Sequence, residues 1–244
     1  LGFYPDSFDI LMKAGDICRK QKAFRYFHKT ENYYRRALKI DRKSVTAMVS
    51  LAASMLDGWK SDEAAGICRK LIRKHPDDYR AYLVLGNYYY IVLHECEKGV
   101  FWYKKAYELN PDDKISLLMI GNAYDETTHY RKAVEYYREY LAFHPEDAGA
   151  LHNMANALDS CEFYEESADY YRRAYAQRPD EHALYHYSIG MCYFRMGKYD
   201  EAAVIFRQGI EFKPDSIILL NELGNVSLKQ GKTEDAILLY KKAI

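Results

Sequence analysis

The sequence predicts an all-α fold made of helix-turn-helix units that repeat along the chain. Five of the six prolines stand 34 or 35 residues apart, at Pro76, Pro111, Pro145, Pro179 and Pro214. Similar phrases surround them, among them LIRKHPDD, YELNPDD and GIEFKPDS. Between the prolines, apolar residues recur at i, i+3, i+4 and i+7 in two blocks, as they do on one face of an α-helix. A period of this length indicates a repeat architecture.

Each of these prolines marks the place where one unit ends and the next begins. Proline cannot continue a helix, and it biases the residue before it away from helical angles. The Asp, Glu or Ser that follows suits the N-cap and first turn of a new helix. The sequence therefore predicts a single array over residues 1–244, with units at 8–44, 45–78, 79–113, 114–147, 148–182, 183–216 and, incomplete, 217–244.

A short break separates the two helices within a unit. In the sixth unit the blocks are ALYHYSIGMCYFRM and YDEAAVIFRQGIEF, and GKY stands between them. The first and third units depart from the common pattern. The third carries one inserted residue, and the first, which lacks the terminal proline, needs extra residues around RKQKAFRYFHK.

Aromatic and small residues indicate how the helices pack. Second helices carry aromatic pairs, as in YYRRALKI, WYKKAYEL and YYREYLAF, and first helices carry Gly86, Gly121, Gly190 and Gly224. One helix pair cannot bury both of its apolar faces, so stability must come from stacking on neighbouring pairs. We expect the tyrosines to pack between helices and the glycines to lie where backbones approach. A leucine at Gly190 or Ala202 should overpack the pair.

Composition excludes several classes of function. Lys plus Arg and Asp plus Glu number 35 each, so the chain has no basic field of the kind that nucleic-acid binding requires. No apolar run is long enough to span a membrane, and no signal-peptide pattern is present. The five cysteines never form a C-x-x-C pair, which predicts a reducing compartment, most simply the cytoplasm. The chain begins with Leu and ends in mid-pattern at LLYKKAI, as expected of a fragment.

These features resemble the tetratricopeptide-repeat family, with about seven repeats over nearly the whole chain. The sixth unit carries the family's pattern in order, as Ile189, Gly190, Tyr193, Ala202, Phe206, Gly209 and Pro214. The resemblance implies a right-handed α-solenoid whose first helices line a concave groove. It further implies a non-catalytic scaffold or adaptor that needs no cofactor and binds an extended peptide segment of a partner protein in that groove.

The resemblance places the ninth residue of each unit in the groove, and asparagine stands there in four units. These residues are Asn87, Asn122, Asn156 and Asn225. A carboxamide both donates and accepts hydrogen bonds, so such a row can hold the main chain of an extended peptide. In the alternative interpretation, asparagine is only the family's usual residue at this position, bonded to water or to a neighbouring helix.

The other groove positions describe the expected partner. They include His152, Asn153, Tyr187, Phe194 and Asn221, which predict an aromatic and apolar patch beside amide groups. Met191, the ninth residue of the sixth unit, is also predicted to line the groove. Leu184 and Ile218 join this patch unless they pack against the next repeat. Acidic residues stand in the middle of the groove (Asp125, Glu126, Asp159) and basic residues at its beginning (Lys13, Arg19, Lys20). This pattern predicts a ligand with positive charge toward its centre.

Other functions have weaker support in the sequence. Heat-shock chaperones are not predicted partners, because the carboxylate clamp needs Lys at the fifth position, where the units have Met12, Val49, Leu83, Leu118, His152, Tyr187 and Asn221. His182 and His186 are spaced to share a metal but lack further ligands. His94 and Cys96 lack a third, orienting group, so catalysis is not predicted. The remaining alternatives are an architectural subunit that stacks with itself or with sister subunits, and the targeting arm of an enzyme.

Overall fold

The computed structural model describes residues 7–21, 24–58 and 60–244, except for the side chains of residues 24–27. This part of the chain contains fourteen α-helices and no β-strand. In chain order they are α1 (Phe8–Lys20), α2 (Phe24–Ile40), α3 (Val45–Asp57), α4 (Ser61–Lys74), α5 (Tyr79–Asn87), α6 (Cys96–Leu109), α7 (Ile115–Glu126), α8 (Tyr130–Phe143), α9 (Ala148–Ser160), α10 (Tyr164–Gln177), α11 (His182–Arg195), α12 (Tyr199–Phe212), α13 (Ile217–Lys229) and α14 (Thr233–Ala243). Short turns join successive helices into pairs, which confirms the predicted all-α fold of helix-turn-helix repeats of the solenoid type.

The first helices begin where the proline phrases predict them. Asp78 follows Pro76, and its carboxylate accepts a hydrogen bond from the backbone N–H of Arg80 at 3.1 Å. Asp147 caps α9 in the same way, with the N–H of Ala150 donating at 3.0 Å. An N-cap of this kind satisfies a backbone donor that the helix itself leaves unpaired, and it stabilises the helix by about 1 kcal/mol.

Several first helices end in a turn that contains a left-handed residue. In the described part of the chain these residues are His94, Thr128, Glu162, Gly197 and Gly231, with φ between 54° and 76°. In two of these turns, the N–H of Phe163 bonds to the carbonyl of Leu158 and the N–H of Lys198 to that of Tyr193, each at 2.9 Å. Such bonds are typical of the Schellman motif. Glycine alone adopts this conformation without cost, so the turns at His94, Thr128 and Glu162 contain backbone strain.

The tyrosines of the second helices fill the space between helices, as expected. Tyr34, Tyr103 and Tyr137 are fully buried, and Tyr171 is nearly so. Each ring removes a large apolar area from water, while its hydroxyl requires a hydrogen-bond partner.

The contacts divide the chain into two compact units, the first ending at Ala123 and the second beginning at Tyr124. In the first unit, one core joins α1 to α5 through residues such as Leu11 and Leu85. In the second, a core cluster forms around Phe206 and Leu223. A continuous array over 1–244 stays a prediction. None of the described helices combines the length and apolar character that crossing a membrane requires.

The inserted residue of the third unit lies inside a helix. α5 passes directly into a π-helical turn, Tyr88–Val92, in which the N–H of Leu93 bonds to the carbonyl of Tyr88 at 3.2 Å. A π-turn holds one residue more than an α-turn, so it accommodates the insertion without lengthening the loop. The extra residues expected in the first unit fall partly on residues 22 and 23, which lie outside the described residues.

Candidate functional site

The ten predicted groove residues all lie on first helices, and all are half-buried. Asn87 and Asn122 belong to the first unit. The other eight belong to the second unit, with His152, Asn153 and Asn156 on α9, Tyr187, Met191 and Phe194 on α11, and Asn221 and Asn225 on α13. The second unit therefore contains most of the predicted site.

Side-chain contacts hold these three helices side by side. Asp159 on α9 forms an ion pair with Arg195 on α11. The ring of His152 on α9 lies edge-on to that of Tyr185 on α11, with centroids 5.8 Å apart. α11 in turn contacts α13. We call the eight predicted residues of the second unit, together with Leu184 and Ile218, the first-helix face.

A tyrosine of the second helix holds the amide of the ninth residue in place. The hydroxyl of Tyr171 donates to Oδ1 of Asn156 at 2.5 Å. Tyr240 donates in the same way to Asn225, at 2.7 Å. In the first unit, the hydroxyl of Tyr103 donates to Oδ1 of Asn87 at 2.8 Å. Burial raises the pKa of Tyr171 well above its usual value, so the hydroxyl stays protonated and remains a donor.

The residue types at these two repeat positions correlate along the sequence. Where the second helix offers a tyrosine (Tyr34, Tyr103, Tyr137, Tyr171, Tyr240), the ninth residue is Asp16, Asn87, Asn122, Asn156 or Asn225. Where it offers Cys68 or Phe206, which have no hydroxyl, the ninth residue is Ala53 or Met191. This correlation is readable in the sequence, but it appears only when the two repeat positions are compared across the units. Of the alternatives above, bonding to a neighbouring helix therefore contributes to the recurrence of asparagine.

The hydrogen bond from Tyr171 uses Oδ1 of Asn156 and leaves the Nδ2 group of the amide available. Its Nδ2 has no hydrogen bond within the described residues, and it is not among the buried atoms that lack a partner, so it reaches solvent. Asn225 differs, because its Nδ2 donates to Glu222 at 3.0 Å. Asn221 makes no side-chain hydrogen bond in the described part of the chain, and its amide is also open to solvent.

The apolar part of the first-helix face has both exposed and packed residues. Leu184 is 46% exposed and Ile218 is 60% exposed, so neither is buried against a following repeat. Tyr187, Met191 and Phe194 pack along one edge against the core cluster of the second unit. These three residues therefore expose only part of their side-chain surface to solvent.

His152 is enclosed by aromatic rings. Its centroid lies 5.5 Å from that of Tyr171 and 5.8 Å from that of Tyr185. Among the described residues, its Nδ1 and the hydroxyl of Tyr185 are buried atoms without a hydrogen-bond partner. Burial lowers the pKa of His152 below its usual value; Glu181 opposes this shift and Arg178 adds to it. The imidazole of His152 therefore stays neutral at a lower pH than a histidine with the usual pKa.

Three of the six charged residues expected along the groove, Asp159, Arg19 and Asp125, are paired or have their charged form disfavoured. The carboxylate of Asp159 is engaged by Arg195, and that of Asp57 is held by Arg19 at 3.2 Å. Burial raises the pKa of Asp125, which disfavours its charged form. A ligand with positive charge toward its centre stays a prediction.

The two histidines that are spaced to share a metal, His182 and His186, both make structural contacts. The ring of His182 stacks on Phe212 with centroids 3.8 Å apart, and its Nδ1 lies 2.5 Å from the hydroxyl of Tyr175. Nδ1 of His186 bonds to the carbonyl of His182 at 2.6 Å. No cluster of three or more His, Cys, Asp or Glu residues suited to a metal occurs in the described part of the chain.

Comparison with known proteins identifies the repeat. A family model described as tetratricopeptide repeat matches residues 146–215, and a second model of that description matches residues 116–147. No curated protein is similar enough in sequence to count as a match.

Solved structures share the fold. YrrB, described as a TPR protein with an unusual peptide-binding site, is 23% identical, with a TM-score of 0.63 over 74% of this chain and 92% of its own. MamA from Desulfovibrio magneticus RS-1 is 17% identical, with a TM-score of 0.62 over 68% of this chain and 93% of its own. A tetratricopeptide repeat protein from Parabacteroides merdae is 18% identical, with a TM-score of 0.58 over 97% of this chain and 91% of its own.

Proposed function

We propose that this chain, which belongs to the tetratricopeptide-repeat family, is a non-catalytic protein-interaction scaffold that binds an extended segment of a partner protein on its first-helix face. The observation that carries the proposal is the combination, on three adjacent helices, of exposed apolar side chains with amide groups that the protein leaves open to solvent.

Exposed apolar side chains on this face suit partner anchoring. Leu184 and Ile218 occupy corresponding places near the starts of α11 and α13, and each has about half or more of its surface in water. Covering such side chains with a partner contributes roughly 25 cal/mol for each Å² of apolar surface removed from water. The half-buried ring of Tyr187 lies one helical turn beyond Leu184 and extends the same surface.

Amides on the face suit main-chain recognition. Nδ2 of Asn156 can donate to a peptide carbonyl while Oδ1 stays bonded to Tyr171. Because Tyr171 already fixes the orientation of this amide, the side chain of Asn156 loses less conformational entropy when a ligand binds. Asn221 supplies both a donor and an acceptor. An extended peptide presents such carbonyl and N–H groups along its whole length, whatever its side chains.

A selection experiment on the full chain tests this function. Peptides from a random phage-displayed library are selected on the immobilised protein, and their affinities are measured by fluorescence anisotropy. We expect the Leu184→Ser, Ile218→Ser double variant to bind the selected peptides at least about tenfold more weakly, a loss of about 1.4 kcal/mol. Asn156→Ala and Asn221→Ala should each weaken binding by a smaller factor.

The matched control changes exposed apolar residues on second helices. Val204 on α12 and Ile237 on α14 are also about half exposed, so the Val204→Ser, Ile237→Ser variant removes similar surface elsewhere. This variant should keep the wild-type affinity. Equal affinities for the two double variants would refute binding on the first-helix face, and so would failure to select any peptide.

A further inference from the structure

A cavity in the first unit shares no residue with the first-helix face and has a different chemistry. It occupies about 520 Å³ and is lined by Leu38, Arg42, Lys43, Met48, Leu51, Ile67, Lys70, Leu71, Lys74 and His75. These residues come from the end of α2 and the turn after it, from α3, and from the second half of α4 with the residue that follows. The volume falls in the range of about 300–1,000 Å³ that ligand pockets occupy.

The apolar part of this lining is continuous with the core. Leu51 and Leu71 are buried, and Leu38, Met48 and Ile67 pack against the same core cluster while remaining partly open. An apolar side chain that entered the cavity would therefore meet hydrocarbon that is already held in place by the fold. Burial of hydrocarbon there stabilises a complex in proportion to the apolar area removed from water.

The polar part of the lining is entirely basic. Arg42, Lys43, Lys70 and Lys74 are exposed, His75 joins them, and no lining residue is acidic. Within the described residues, no side-chain ion pair is formed by Lys70 or Lys74 on α4. Arg42 and Lys43 form none either. Elsewhere in the same unit, Arg19 and Lys60 do have carboxylate partners, Asp57 and Glu31.

Helix polarity explains only part of this basic rim. Lys74 stands in the last turn of α4, where a positive charge is favoured by the helix dipole. Lys70 lies one turn earlier, and Arg42 and Lys43 lie beyond the end of α2, in the turn. Four permanent cations stand around one apolar opening and leave a local positive charge. The neighbouring carboxylate of Asp41 accepts a hydrogen bond from the backbone N–H of Lys43 at 2.9 Å and forms no ion pair with the four.

We propose that this cavity, named here the basic cavity, binds an acidic peptide segment that inserts one apolar side chain between flanking carboxylates. Charge complementarity favours this occupant. A fatty acid offers a single carboxylate, whereas the four cations come from two separate segments of the chain and suit several carboxylates spaced along a peptide. The apolar floor supplies the anchor site, and the rim supplies attraction and orientation.

Binding of a defined probe to the full chain tests this inference. The probe is a fluorescein-labelled peptide with one central leucine flanked on both sides by glutamates, and binding is followed by fluorescence anisotropy. Comparison peptides replace the leucine by serine or the glutamates by lysines. We expect the leucine peptide to bind, the serine peptide to bind more weakly, and the lysine peptide not to bind. Affinity should fall as the salt concentration rises.

Charge reversal on the rim provides the decisive comparison. Lys70→Glu with Lys74→Glu should weaken binding at least about tenfold, because it removes two attractive charges and adds two repulsive ones. The control reverses Lys241 and Lys242, which are exposed lysines in the last turn of another second helix, α14. The two double variants change net charge equally, and circular dichroism verifies that both are folded.

Two further comparisons test the role of the apolar lining and whether the peptide binds in this cavity. Ile67→Ala should reduce affinity for the leucine peptide but not for the serine peptide. Leu184→Ser, on the first-helix face, should leave both affinities unchanged, so this inference and the proposed function fail independently. The inference is wrong if both charge-reversal variants bind the leucine peptide equally, if leucine and serine peptides bind alike, or if laurate occupies the cavity while the leucine peptide does not bind.

Discussion

The ring of Phe206 occupies the space beside Gly190 so closely that a β-carbon at Gly190 would lie 2.3 Å from Cε1 of that ring. Tyr103 and Tyr240 stand in the same relation to Gly86 and Gly224. The expectation that backbones approach at these glycines is therefore wrong in one respect, since the close neighbour is an aromatic ring of the second helix. A ring needs a flat, unobstructed stretch of helix, and glycine provides one.

Adding a methyl group at Gly190 should therefore destabilise the protein. Phe206 is fully buried and cannot move without disturbing its own neighbours, so Gly190→Ala should lower the free energy of unfolding by about 1–3 kcal/mol. Urea denaturation followed by circular dichroism measures the change. Gly66, within α4, is the matched control because a β-carbon there meets no atom within 4 Å. Gly66→Ala should raise stability by about 0.5–1 kcal/mol, and a loss of similar size at both glycines would contradict the steric account.

The hydrogen bond between Tyr171 and Asn156 should appear as an energetic coupling. Tyr171→Phe and Asn156→Ala each remove one partner, so each should cost about 1 kcal/mol of stability. The double variant should cost clearly less than the sum, because the bond is lost only once. Tyr187→Phe is the control, since Tyr187 has no hydroxyl hydrogen bond in the described part of the chain. Strictly additive values would show that the bond has no energetic weight.

Exchanging residues between equivalent turns should change stability in opposite directions. Thr128 has φ of 61° and Gly197 has φ of 73° at the corresponding place in another unit. A β-branched residue is strained in this region, so Thr128→Gly should stabilise the protein by up to about 1 kcal/mol. Gly197→Thr should destabilise it by at least as much. Thermal unfolding of both variants measures the effect, and shifts of the same sign would contradict it.

His152 should make stability depend on pH in a defined window. Burial lowers its pKa in the folded protein below the usual 6.5, so the unfolded chain takes up a proton first as the pH falls. The contribution of His152 is therefore present above pH 6.5 and is lost progressively between 6.5 and the lower folded pKa. His152→Phe should reduce the difference in the free energy of unfolding between neutral and mildly acidic pH.

The comparison requires a histidine that is not enclosed. His28 is exposed on α2, so His28→Gln serves as the control for removing a histidine that is not enclosed. Urea titrations of the three proteins at pH values on either side of the window provide the measurement. If the His152→Phe variant keeps the wild-type pH dependence, burial of the His152 imidazole does not contribute to that dependence.

Helix positions were predictable because local chemistry determines them. A proline ends one helix, and the aspartate two residues later, Asp78 or Asp147, is the N-cap of the next helix. The helix boundaries therefore follow from residues that are neighbours in the sequence. The face to which a side chain belongs was also predictable from the helical period. All ten predicted groove residues are on first helices and partly accessible, but whether they bind a ligand stays a prediction.

The partners of these side chains were less predictable because they are distant in sequence. Asn156 meets Tyr171, which lies on another helix, and Asp159 meets Arg195, which lies in another pair. The first contact is encoded in a correlation between two repeat positions, which only a comparison across the units reveals. The second depends on how adjacent pairs stack, and the period alone does not specify it. The basic cavity was missed for the same reason, since its lining combines α2, α3 and α4.

The π-helical turn after α5 shows where a repeat of this kind tolerates a change of length. The extra residue is wound into Tyr88–Val92, after Asn87 and before the left-handed turn at His94. Asn87 keeps its bond to Tyr103, and the next helix still starts at Cys96. A single-residue insertion is therefore absorbed within the unit in which it arises. The register of the repeat after the insertion is thus preserved by a local change in helix winding.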